Sequence, residues 1–78
     1  MVEGTQRIGR DVVKTSKGYR LVSTVKLPLK RYAFETMVFK CNRFGDISSG
    51  AELDSGRYDS KQEAKKGHEE MVKKWKSR

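Results

Sequence analysis

A nucleophile and a base are the first chemistry to look for, and the chain offers one cysteine, Cys41, and one histidine, His68. The two meet only if the strand carrying Cys41 turns that face towards the helix carrying His68. A pair in contact without a third, orienting group does not make a nucleophilic site. The expected roles are structural: a packed histidine with a satisfied ring nitrogen, and a cysteine acting as a small hydrophobe. Structural zinc needs four ligands, and these two residues fall short. Asp46, Glu52 and Asp54 lack the one-three-five spacing of a calcium loop. The sequence therefore predicts no enzyme, no metal and no cofactor.

Cations are the other chemistry. The 78 residues hold 18 Lys and Arg against 10 Asp and Glu, a net charge of +8. The balance is +7 over residues 1–44, −3 over 45–60 and +4 over 61–78. A surplus concentrated in the N-terminal half attracts polyanions, nucleic acid above all, or an acidic protein surface; it also keeps a small protein soluble. The candidate phosphate or partner contacts are Lys14, Lys17, Arg20, Lys26, Lys30, Arg31, Lys40, Arg43 and Lys61. Tyr32 and Phe34 are the aromatics expected to stack on a base.

The elements that must position these residues are clearest in the C-terminal third. Ser60 followed three residues later by Glu63 is a capping box and predicts a helix over about 61–76. Ala64, Gly67, His68, Met71, Val72 and Trp75 recur at three- and four-residue spacing, which places them on one stripe facing a core. Trp75 is the expected anchor, and Tyr58 is placed to cover the helix start. On the other face, Lys65-Glu69-Lys73 and Lys66-Glu70-Lys74 set opposite charges four residues apart, worth roughly 0.2–0.5 kcal/mol a pair. Lys61, Lys76 and Arg78 are left without a local partner.

Upstream the period changes to two. Strands are expected at about 7–15, 19–27 and 32–41, the first two joined through Thr15-Ser16-Lys17-Gly18, the third following a connector at Pro28-Leu29-Lys30-Arg31. Residues 42–56, rich in Gly, Ser and Asp, read as a long loop, with a short strand near Ile47 or Leu53 as an alternative. The fold class is α+β: one domain over 1–78, a three-stranded antiparallel sheet packed on one C-terminal helix. In the second strand Tyr19, Leu21, Ser23, Val25 and Leu27 form a plainly apolar row opposite Arg20, Val22, Thr24 and Lys26. One helix covers one face, so either Phe34 and Val38 or Met37 and Phe39 stay partly exposed. The long loop, a second copy in a homodimer, or a ligand would then cover them.

Size narrows the class further. A chain this short buries only about 60% of its unfolded surface, which leaves room for one modest core. No apolar run approaches the roughly 20 residues of a membrane span, and the N-terminus lacks the basic-then-apolar order of a signal peptide. With a single cysteine, the expected compartment is a reducing cytoplasm.

Val22–Phe39, VSTVKLPLKRYAFETMVF, and Arg57–Trp75, RYDSKQEAKKGHEEMVKKW, together resemble a pattern recurring in small tailed-bacteriophage and prophage proteins, in which VSTVxL leads to FETMVF and a helix begins RYxTxxEAxxGH. Ser60 stands where that pattern has Thr. The resemblance implies phage origin, hence a host-cell cytoplasm, and no assigned activity. At fold level, strands followed by this capped helix are similar to the arm-type DNA-binding domains of phage integrases and to the plant ethylene-response-factor type, which read the major groove with a sheet. The helix start also resembles the last helix of double-stranded RNA-binding domains, which implies phosphate contacts at Lys61, Lys65 and Lys66. Three functions follow as expectations. The first is a nucleic-acid-binding accessory protein. The second is an anti-defence type inhibitor or adaptor docking on an acidic or nucleic-acid-binding host protein. The third is an oligomer sequestering an anionic small ligand.

Overall fold

The computed structural model describes residues 6–28 and 33–78. Its elements run β1 (Gln6–Thr15), β2 (Gly18–Lys26), β3 (Phe34–Cys41), β4 (Ile47–Tyr58) and α1 (Lys61–Lys76). The four strands form one antiparallel meander in chain order. The α+β class and the C-terminal helix match the expectation from sequence; the sheet has four strands, not three.

The additional strand occupies most of the expected long loop. Asn42–Asp46 makes a compact turn: Asn42 Oδ1 accepts from the amides of Phe44 at 2.8 Å and Asp46 at 3.0 Å, and Gly45 takes φ +88°. The chain then pairs with β3 to the end of β4, with irregularities near Leu53 and between Phe39 and Cys41. β4 is an edge strand largely exposed on both sides, so no apolar alternation marks it. At the other hairpin Gly18 takes φ +118°, and Thr15 Oγ1 accepts from Lys17 N and donates to Gly18 O.

The helix covers the less apolar face of β2. Cross-strand register places Asp11 and Val13 of β1, Arg20, Val22 and Thr24 of β2, and Phe34, Thr36 and Val38 of β3 on one side. Val13, Val22, Val38 and Met71 are the packed core, joined by Val72 and Trp75. Phe34 and Val38 are therefore the covered pair, and Met37 and Phe39 lie on the other face. The reason is visible in what the helix brings: His68 meets the hydroxyl of Thr24, and the Trp75 ring lies beneath Arg20. A polar row thus becomes an inner layer because its polar groups find partners there.

Local details fix the helix in place. Ser60 Oγ accepts from Glu63 N at 3.1 Å, as an N-cap should. The Tyr58 ring lies over Gly67, where any Cβ would overlap it, so this glycine lets the helix settle on the strand before it. The i,i+4 charge pairs expected along α1 are not closed contacts. Among the described residues only Lys74 of the helix lysines has a carboxylate within 4.0 Å, and that is Asp54 on β4 at 2.7 Å.

The face without the helix is not flat. Arg10 Nη2 donates to Gly45 O at 3.1 Å, so the β3–β4 turn folds back towards β1. That closure buries Leu21 and Cys41 on the face away from the helix, while Val12 stays 37% exposed. No helix of the described residues is long and apolar enough to cross a membrane.

Candidate nucleic-acid interface

The sheet register sorts the predicted contact residues into two ends. Lys14 pairs with Tyr19, Arg20 with Lys40, and Tyr19 with Cys41, so Lys14, Arg20 and Lys40 flank the β1–β2 turn that carries Lys17. The β3–β4 turn, with Arg43 and Phe44, opens from the same end. The helix finishes there too, because Ser16 N donates to Arg78 O at 3.2 Å. Lys26 pairs with Phe34, and Phe34 with Tyr58, at the opposite end, beside the helix start and Lys61. A 16-residue helix separates the two groups by roughly 24 Å. Lys30, Arg31 and Tyr32 lie outside the described residues.

Two predicted contacts are in the wrong layer for the role expected of them. Phe34 is only 6% exposed, packed beneath the helix side of the sheet, so it does not offer a face to a base. Arg20 is 8% exposed; its Nη1 donates to Tyr19 O at 2.9 Å and its guanidinium lies 5.9 Å from the Trp75 ring centroid. It is a buried cation, not a surface one. Lys14, Lys17, Lys40 and Arg43 are exposed as expected, and Arg78 joins them. None of Lys14, Lys17, Arg20, Lys40, Arg43 and Arg78 has a carboxylate within 4.0 Å among the described residues.

The aromatic that sequence reasoning missed is Phe44. It is 70% exposed, the most open of the large apolar residues among those described, and the Arg43 guanidinium sits 4.9 Å from its ring centroid. The signal was local: an Arg-Phe pair inside a turn closed by Asn42 and Gly45, where a side chain has nothing to pack against. Ile47 beside it is 50% exposed. The acid of this turn, Asp46, accepts from Asn42 Nδ2 at 3.3 Å.

The titratable groups beneath the helix are engaged with one another. Thr24 Oγ1 is 2.5 Å from Thr36 Oγ1 and 2.6 Å from His68 Nδ1, and His68 Nε2 is 2.7 Å from Asp11 Oδ2. The carboxylate–imidazole–hydroxyl order is that of a nucleophilic relay. Thr24 is 0% exposed, however, so the hydroxyl end is closed from solvent, while the Asp11 carboxylate at the other end is open to it. Cys41 lies on the other face of the sheet and does not meet His68. Burial pushes its thiol pKa up, against the lowering effect of Arg10 and Arg20. Asp54 is held below the usual carboxylate range, first by the hydrogen bond from Lys74; Trp75 Nε1 adds a second at 3.1 Å. Among the described residues no group of His, Cys, Asp and Glu is arranged to hold a metal.

Compared with known proteins, the chain matches no protein family, no curated protein and no solved structure. The chemistry of the interface thus rests on its own residues.

Proposed function

We propose that this is a non-enzymatic nucleic-acid-binding accessory protein of the tailed-phage kind, and that it binds single strands at the end where its two hairpin turns and the helix C-terminus converge. The observation that carries the reading is that Lys14, Lys17, Lys40, Arg43 and Arg78 are exposed at one end of the sheet, without carboxylate partners among the described residues, and that the open ring of Phe44 stands at the same end beside Arg43. Cations that neighbouring acids do not neutralise attract phosphates, and an exposed aromatic among them gives a base a surface to stack on. The sheet centre is the weaker candidate, since its helix side is filled and its other side is half-closed by the β3–β4 turn.

Fluorescence anisotropy with labelled DNA and RNA strands at about 50 mM salt tests this. Replacing Lys17, Lys40 and Arg43 together by Ala is expected to abolish most of the affinity, and replacing Lys26 and Lys61 together is expected to leave it nearly unchanged. Equal losses from the two sets would remove the assignment to the hairpin end. The alternative reading, docking on a host protein, draws on Val12, Met37 and Phe39 of the face without the helix. Capture of one host protein that survives nuclease treatment, with no affinity for free strands, would favour it.

A further inference from the structure

A pocket of about 270 Å³ opens at the basic end, lined by Thr15, Ser16, Lys17, Arg20, Trp75 and Arg78, with Leu53 at its side. Three of these residues carry cationic side chains and none an acidic one, and the main-chain oxygen of Arg78 is held there by Ser16 N at 3.2 Å. Arg20 is the unusual member. It is more than nine-tenths buried, and among the described residues its enclosed Nε has no hydrogen-bond partner and its side chain makes one hydrogen bond, from Nη1 to Tyr19 O.

A buried guanidinium with no counter-charge is costly to keep. The neighbourhood adds to that cost. Lys40 stands directly across from Arg20 in the β2–β3 register, a like-charge pair on one face of the sheet. Asp54, the acid hydrogen-bonded to the Trp75 indole, is already held by Lys74 at 2.7 Å and by Trp75 Nε1 at 3.1 Å. The indole carries Arg78 as well as Arg20, with the Arg78 guanidinium 4.8 Å from the ring centroid. Arg20 thus puts a guanidinium at the pocket wall whose donors are not all matched by acceptors among the described residues.

The acceptor has a definable chemistry. Three cations favour a dianion over a single carboxylate, and a guanidinium fork matches two oxygens of a phosphate. At about 270 Å³ the pocket has room for a phosphate group, and its open side lets that group be the end of a larger molecule. We propose that the pocket is a phosphate-monoester site that takes the terminal phosphate of a nucleic-acid strand, with Arg20 as the buried donor and Lys17 and Arg78 as the cations at its mouth. The strand part of this rests on the function proposed above; the phosphate part rests on the pocket alone.

The chain has one tryptophan, and it lines the pocket, so intrinsic fluorescence reports occupancy directly. Three oligonucleotides of one sequence serve as probes, with a 5′-phosphate, a 3′-phosphate or hydroxyls at both ends, and inorganic phosphate at matched ionic strength is the fourth. One of the phosphorylated strands is expected to bind at least about tenfold tighter than the hydroxyl strand, the size of one charge-assisted hydrogen bond. Its binding should change Trp75 emission, and inorganic phosphate should compete. Arg20→Met is expected to erase the preference. Because Arg20 is buried, Lys17→Ala and Arg78→Ala at exposed positions provide the same test in a folded protein, each reducing the preference several-fold. Equal affinity for all three strands overturns the pocket assignment and leaves the nucleic-acid reading standing. A response to inorganic phosphate with no strand binding does the reverse, and silence to every probe overturns both.

Discussion

Thr24→Val is the perturbation whose cost the buried network determines most closely. Thr24 and Thr36 are both 0% exposed, and Thr24 Oγ1 stands between Thr36 Oγ1 at 2.5 Å and His68 Nδ1 at 2.6 Å. With His68 Nε2–H donating to Asp11, the consistent assignment has Thr24 donating to His68 Nδ1 and accepting from Thr36. Valine keeps the shape and the strand preference but leaves two enclosed polar groups unpaired, the Thr36 hydroxyl and His68 Nδ1. At about 1–3 kcal/mol each, less about 0.8 kcal/mol for the added methyl, the net loss is about 1–5 kcal/mol. Thr36→Val removes only a donor to Thr24, which still donates to His68, and should cost no more than about 1 kcal/mol. Urea unfolding followed by circular dichroism measures both. Equal losses, or a larger loss for Thr36→Val, would refute the hydrogen-bond order drawn here.

Other outcomes follow from single contacts. Gly67→Ala should lower stability although it gains about 1 kcal/mol of helix propensity, because the methyl overlaps the Tyr58 ring; in a Tyr58→Ala background the same change should stabilise. A higher melting temperature for Gly67→Ala alone would displace the ring from that position. Asp54 has a folded pKa below its unfolded value, so its contribution is present above about pH 3.9 and is lost as pH falls through the folded value. Asp54→Asn should therefore lower the melting temperature at pH 7 and have a shrinking effect as the pH falls through the folded value, and an effect that does not shrink in acid would contradict the pairing. Cys41, 6% exposed and with its pKa raised chiefly by burial, should react slowly with a thiol reagent at pH 8 in the folded protein and quickly in urea. Fast labelling of the native chain would place the thiol in solvent.

The parts of the fold that were legible in the sequence are those fixed by neighbours along the chain. Ser60 and Glu63 set the helix start, the Ala64-to-Trp75 stripe set its inner face, and Thr15–Gly18 set the first hairpin. What was not legible depends on partners far away in sequence. β4 is held by the backbone ladder to β3, which leaves no side-chain pattern on an exposed edge. Arg20 and Thr24 alternate with apolar residues as a solvent face would, and become an inner layer only because Trp75 and His68 arrive from 55 and 44 residues downstream. The cations of the candidate interface were identifiable one by one. Their division between two ends needed the register, and Phe44 needed the turn.

The most direct test of the central claim is the salt dependence of strand binding. Four to five phosphate contacts at the hairpin end predict a slope of log K against log salt near −3, a loss of about 50- to 130-fold between 50 and 200 mM. Removing Lys17, Lys40 and Arg43 together should flatten that slope by about 2, whereas removing Lys26 and Lys61 should leave it in place. A slope near zero for the intact protein, or one that the hairpin-end substitutions do not change, would contradict the account.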